Sequence, residues 1–220
     1  MRKRTAYIAI EGPIGAGKSS LVSLLGRKFG VDPVYEPLAE NPFLEMFYKN
    51  QKDYAFQTQV AFLVSRFKQL SALTQTDLFN QYIFCDYIFE RDLIFAGLNL
   101  NESELRLYTD IYRLMARSVP KPDLVVYLQA DTATLMRRIK ARGRDMERGV
   151  PEEYIERVSK AFNGFFFDYR EGPLLIINTN NIDFVANEAD LDKLTAKITG
   201  EVKGQEFFNP LGSVFGRPGR

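Results

Sequence analysis

Short strand-like apolar runs alternate with longer amphipathic stretches along this chain. Tyr7 to Ile10, Val31 to Tyr35, Ile83 to Cys85, Leu124 to Leu128 and Leu174 to Ile177 are each bounded by turn-forming residues, with helical patterns between them. Runs of that length separated by helices predict an α/β fold with a five-stranded parallel sheet, flanked by helices on both faces. The longest helical stretch spans about Lys52 to Thr76, where Phe56, Val60, Leu63, Phe67 and Leu70 recur at helix spacing and describe one apolar face. Its remaining residues are free to line a site. The pattern weakens at the end, from Lys203 to Arg220, which is rich in Gly, Pro, Phe and Arg. We therefore expect one domain over 1–203 and a loose tail over 204–220, with Phe207, Phe208 and Phe215 available to dock on a neighbour.

Between the first strand and the first helix lies Gly12-Pro13-Ile14-Gly15-Ala16-Gly17-Lys18-Ser19-Ser20. A glycine, four residues and then Gly-Lys-Ser, in a strand-to-helix turn, form a phosphate-binding loop. Glycines let successive backbone N–H groups turn inward on phosphate oxygens, and the helix that follows adds its positive N-terminal end. Gly12, Gly15, Ala16, Gly17 and Ser20 would build that cradle, Lys18 would reach the terminal phosphates and Ser19 would ligate Mg²⁺. The signal specifies a nucleoside triphosphate and is silent on the acceptor.

Composition narrows the rest. With 220 residues and 45% hydrophobic content the chain can bury a full core. Lys and Arg total 29 against 28 Asp and Glu, so a net charge of +1 gives no general field for nucleic acid or an anionic membrane. The single cysteine, Cys85, has no partner for a disulfide and reads as a small core residue. Only five residues precede the first strand and no apolar run approaches a spanning length, which sets the expectation of a cytoplasmic protein. There is no histidine, so any proton transfer falls to carboxylates, lysine or tyrosine.

Ligands of open parallel sheets bind beyond the carboxyl ends of the strands. Glu36 follows the second predicted strand and Asp86 follows the third, both beside the phosphate loop. Further on, Arg137, Arg138, Arg142 and Arg144 fall within eight positions where a helix opens out, with Gly143 between the last two. In a chain of near-neutral charge this local cluster suits an arginine-rich lid, at about 142–150, closing over a transferring phosphate.

Together these residues resemble the deoxyribonucleoside kinases, in particular the bacterial deoxyguanosine and deoxyadenosine kinases. The resemblance covers about Ala6 to Ile177 and rests on motifs in one order: Gly12 to Ser20, Tyr35-Glu36-Pro37, Asn41 to Tyr48, Tyr54 to Gln59 with Ser65-Arg66-Phe67, Asp86-Tyr87 with Ile94-Phe95-Ala96, Lys121-Pro122-Asp123 and Arg142-Gly143-Arg144. It implies a P-loop kinase fold that transfers phosphate from ATP, with Mg²⁺, to the 5′-hydroxyl of a deoxynucleoside. It further implies that Glu36 accepts the hydroxyl proton and that Asp86 helps hold Mg²⁺, usually through water. Tyr48 and Glu147 would grip the sugar 3′-hydroxyl, Gln59 and Arg66 would face the base edge, Phe95 would stack on the base, and Arg138, Arg142 and Arg144 would serve as lid arginines. A homodimer is the family's usual state.

One departure stands out. Many family members carry arginine directly after the strand-three acid, whereas this chain has Tyr87 and is one residue shorter before Ile94. Arg91 either supplies the missing phosphate contact or points to the base, where a second guanidinium would favour a purine, deoxyguanosine ahead of deoxyadenosine. Two other readings remain. A nucleoside monophosphate kinase of the thymidylate kinase type shares the loop and lid but needs extra cations for its acceptor phosphate. A nucleotide switch would need an Asn-Lys-x-Asp element, which Asn178-Thr179-Asn180-Asn181 does not supply.

Overall fold

The computed structural model describes residues 5–73, 81–144, 147 and 149–210. In chain order the elements are β1 (Ala6–Glu11), α1 (Lys18–Phe29), α2 (Leu44–Lys49), α3 (Gln51–Ala72), β2 (Tyr82–Cys85), α4 (Arg91–Asn99) and α5 (Glu102–Ala116). They continue with β3 (Leu124–Gln129), α6 (Thr132–Arg142), α7 (Glu152–Phe167), β4 (Leu174–Asn178), α8 (Glu188–Ile198) and β5 (Gln205–Phe208). The strands form one five-stranded parallel sheet in the order β2-β1-β3-β4-β5. From β1 the chain moves first to β2 on one side and later to β3 on the other, so the loop after β1 lies at the topological switch point, where such sheets open a crevice.

The sheet is covered on both faces, as continuous apolar strands require. Leu124 to Leu128 on β3 and Leu174 to Ile177 on β4 are all buried. Cys85 is buried and unpaired, as its place in an apolar run implies.

Strand membership differs from the expectation in two places. The segment 31–35 makes only a single parallel bridge, Val34 to Cys85, with Val34 N–H donating to Phe84 O at 2.8 Å and Asp86 N–H to Val34 O at 3.1 Å. Pro33 has no N–H to extend that ladder, and Pro37 closes the other side. The fifth strand is β5, in a region expected to be loose tail: Gln205 to Phe208 pair with Leu174 to Ile177. Phe207 points outward at 71% exposure, and Phe215 lies outside the described residues.

The long helix α3 is present, but its inward face is not the expected stripe. Leu63 and Leu70 are buried, whereas Phe56, Val60 and Phe67 are only partly covered. Thr58, Gln59, Phe62 and Arg66 turn inward instead. A helix that lines a cavity buries polar groups that a periodicity count assigns to solvent. Residues 74–76 of the expected helix fall outside the described residues.

Candidate functional site

The phosphate loop takes the shape that its glycines permit. Gly15 and Gly17 have φ of 86° and 97°, and a Cβ at either would lie 2.7 Å from Leu135 O or 2.9 Å from the Phe184 ring. Lys18, the first residue of α1, folds back so that Nζ donates to Gly12 O at 2.8 Å and Pro13 O at 3.1 Å. Burial pushes its ammonium down to about 8 and Arg91 adds to the effect, against the pull of Glu11, Glu36 and Asp86.

Asp86, immediately after β2, ties three segments together. Its Oδ2 accepts from Ser19 Oγ at 2.6 Å and its Oδ1 from Glu36 N–H at 2.7 Å. A hydroxyl and a carboxylate converging on one spot are hard oxygen donors that fit Mg²⁺. No group of three or more His, Cys, Asp or Glu suited to a metal occurs among the described residues. An ion held by Ser19 and Asp86 would therefore complete its shell with water and phosphate.

Glu36 sits between two arginines. Arg66 Nη2 pairs with Glu36, and Arg66 Nη1 pairs with Asp92, which also accepts from Tyr108 Oη at 2.9 Å. On its other side Glu36 lies 3.6 Å from Arg91 Nε, while Arg91 Nη1 donates to Glu11 at 2.9 Å. Burial on its own would raise the Glu36 carboxyl, but Arg91, Arg66 and Lys18 overcome it and hold the group at about 2. The result is a buried row of alternating charge: Glu11, Arg91, Glu36, Arg66, Asp92.

A cavity of about 430 Å³ opens in front of this row. Lys18, Ser19, Glu36, Tyr48, Gln59, Arg66, Asp86, Arg91, Phe95, Arg142, Arg144 and Glu147, twelve residues singled out in the sequence, all line it. Tyr48 is partly buried on one wall, and desolvation together with Tyr154, Glu147 and Glu36 raises its phenol well above the usual value. Glu147 reaches the cavity bound to Arg142 at 2.6 Å, with Arg144 3.6 Å away. Phe95 meets Phe162 edge to face at 5.7 Å, and Gln59 Oε1 is buried without a hydrogen-bond partner among the described residues.

A family model described as "Deoxynucleoside kinase" matches residues 8–203. The chain belongs to the deoxynucleoside kinase family. It is 34% identical to a deoxyguanosine kinase of Bacillus subtilis (strain 168) over 87% of this chain and 95% of that one. It is 32% identical to a deoxyadenosine kinase of Lactobacillus acidophilus over 82% and 88% of the two chains. Among solved structures it resembles a deoxyadenosine kinase from M. mycoides with bound dATP, at a TM-score of 0.76 and 29% identity over 89% of this chain and 100% of that one. Its fold is the P-loop kinase fold.

Two features of this deoxynucleoside kinase correct the sequence reading. Arg91 does not stand free at a base edge: it is engaged by Glu11 and Glu36, with its guanidinium 5.2 Å from the centre of the Phe95 ring. Arg66 is not an unopposed donor either, because Asp92 and Glu36 take its two terminal nitrogens. Two free guanidinium groups therefore do not face the base. Glu11, Asp92 and Tyr108 were missed; the one signal available was an acidic residue closing an otherwise apolar strand.

Arg138 does not line the first cavity but stays beside the phosphate loop, donating to Ala16 O at 3.4 Å. Its guanidinium donates to Thr179 Oγ1 at 3.0 Å and Thr179 O at 2.7 Å, which ties α6 to the loop after β4. It lines a second cavity of about 720 Å³ with Asp183 and Phe184, which the sequence reading did not single out. The two cavities share Gly15, Gly17, Ser20 and Arg142, so both open on the phosphate loop from different sides.

Proposed function

We propose that this deoxynucleoside kinase transfers the γ-phosphoryl group of ATP to the 5′-hydroxyl of a purine deoxynucleoside in nucleotide salvage, deoxyguanosine ahead of deoxyadenosine. The observation that carries this reading is the placement of Glu36, flanked by arginines, between the phosphate loop and a cavity of about 430 Å³. Such a reaction asks for positioning and charge neutralisation more than covalent chemistry. Glu36, ionised at any physiological pH, fixes the 5′-oxygen in line and accepts its proton as the bond to phosphorus forms. Lys18 exchanges its loop carbonyls for the terminal phosphates, over the amides of Gly12 to Ser20. Ser19 and Asp86 hold Mg²⁺, which supplies charge neutralisation on the phosphates.

In the acceptor cavity Tyr48 and Glu147 grip the sugar, Phe95 stacks on the base, and Gln59 and Arg66 face its edge. The second cavity takes the nucleoside end of ATP, with Arg138, Arg142 and Arg144 around the triphosphate. A monophosphate acceptor is disfavoured, because Arg66 and Arg91 are already balanced by Glu11, Glu36 and Asp92. The reading takes the chain through β5 as one catalytic domain and places it in the cytoplasm. It also pairs two copies through α5, where Leu107 and Leu114 stand one heptad apart at 53% and 70% exposure.

The order of purines rests on Gln59 and Arg66. Guanine presents O6 beside N1–H, an acceptor and a donor that suit Arg66 Nε–H, which Asp92 and Glu36 leave without a partner among the described residues, and Gln59 Oε1, whereas adenine would turn its amino group toward a cation. The identity to a deoxyguanosine kinase supports the same order. Comparing kcat/KM for deoxyguanosine, deoxyinosine and deoxyadenosine with ATP tests it. The expected order puts the two 6-oxopurines first; deoxyadenosine ahead of both by tenfold, about 1.4 kcal/mol, would overturn it.

A further inference from the structure

A carboxylate that lines neither cavity stands behind this site. Glu11, the last residue of β1, is fully buried. A buried charge costs several kcal/mol unless it is paired and hydrogen-bonded, and an apolar residue ending a buried strand avoids that cost. Its partners therefore indicate its purpose. Oε2 accepts from Gly12 N–H at 2.9 Å and from Arg91 Nη1 at 2.9 Å, and Oε1 accepts from Ile88 N–H at 3.0 Å. One side chain thus joins the first amide of the phosphate loop, the turn after β2 and an arginine 80 positions away.

Arg91 is constrained from several directions. It opens α4, its guanidinium lies against the rings of Phe95 and Phe162 at 5.2 and 5.6 Å, and its Nε is 3.6 Å from Glu36. With Nη1 fixed by Glu11 and the plane fixed by two rings, one edge of the guanidinium is left aimed at Glu36. Without Glu11 the full charge of Arg91 would turn to Glu36, and a closer pair would occupy the carboxylate oxygens needed for the 5′-hydroxyl.

We propose that Glu11 is a positioning residue for phosphoryl transfer: it holds Arg91 at the edge of the acceptor carboxylate and locks that arginine to the start of the phosphate loop. The inference rests on the reading of Glu36 as the acceptor's proton partner. It is tested with Glu11→Gln, Arg91→Gln and the double variant, each assayed with ATP and deoxyguanosine beside the wild type. Each single change should lower kcat by about 30-fold while both KM values move less than about threefold, a split that general damage to the fold would not give. Because Glu11 acts through Arg91, the double variant should match Arg91→Gln within about threefold. Losses that multiply in the double variant, or a kcat that Arg91→Gln leaves unchanged, overturn the proposal. Should Glu11→Gln alone fail to fold, the double variant removes both buried charges together and still decides: equality with Arg91→Gln supports the proposal, and a further tenfold loss overturns it. An inactive wild type would instead remove the kinase reading itself, so the two failures are distinguishable.

Discussion

The two ends of the crevice handle charge in opposite ways. At the acceptor end Arg66 and Arg91 are buried, at 2% and 4% exposure, and each is flanked by carboxylates from separate elements. At the lid the side chains of Arg142 and Arg144 are 35% and 39% exposed and share one partner, Glu147. A buried, balanced row of charge keeps its geometry before any ligand arrives, because moving one member would strand another in a medium of low dielectric. Half-exposed arginines on a short segment can rearrange at little cost. In the proposed reading the acceptor end is thus a fixed template, and the lid a set of cations that would follow the triphosphate.

Lys18 joins the two ends, so its loss should have the largest effect. Lys18→Ala should lower kcat by about 10³-fold with the fold intact, since its charge matters most as negative charge shifts on the phosphates. Retention of more than about a tenth of wild-type kcat, a loss below roughly 1.4 kcal/mol, would contradict its assignment. Next comes Glu36→Gln, which keeps shape and removes the proton acceptor; kcat should fall by about 10²-fold with a smaller change in nucleoside affinity. If Asp86→Asn leaves Mg²⁺ dependence untouched while Glu36→Gln shifts it, the two roles are exchanged.

The same substitution gives a pH test. The folded Glu36 carboxyl lies at about 2 against an ordinary 4.5, so its contribution to stability is present above pH 4.5 and is lost as pH falls toward 2. Wild-type melting temperature should therefore drop more steeply over that window than that of Glu36→Gln. Parallel slopes would mean that the arginines do not hold the carboxylate as described. The smallest contrast compares stabilities at neutral pH. Asp92→Ala, which leaves Arg66 short of a buried partner, should cost about 3 kcal/mol, and Arg144→Ala less than about 0.5 kcal/mol. Equal losses in denaturant titrations would erase the distinction between template and lid.

Much of the donor side was legible in the sequence because its signals are local. Gly12 to Ser20 spell the loop in consecutive residues, and the alternating apolar runs give the sheet class. The misread strands fail for specific reasons: Pro33 limits 31–35 to one bridge, and β5 is a short edge strand with polar Gln205 and Glu206, which carries no apolar run to notice. The acceptor row was only half legible. Glu36, Arg66 and Arg91 were found through motifs, but Glu11 meets Arg91 across 80 positions and Asp92 meets Arg66 across 26. No window on the sequence brings such partners together; only the crossover from β1 to β2 does. Arg138 was expected beside the triphosphate from its neighbouring arginines; that its guanidinium is anchored to Thr179 after β4 was not legible, because the two lie 41 positions apart.

Transfer from γ-labelled ATP tests the central claim most directly, with each of the four natural deoxynucleosides and, separately, deoxyguanosine monophosphate as acceptor. The account predicts label in a deoxynucleoside 5′-monophosphate, fastest with the purines, and little transfer to the monophosphate acceptor. Label that enters only the monophosphate, or none of the deoxynucleosides, would contradict it.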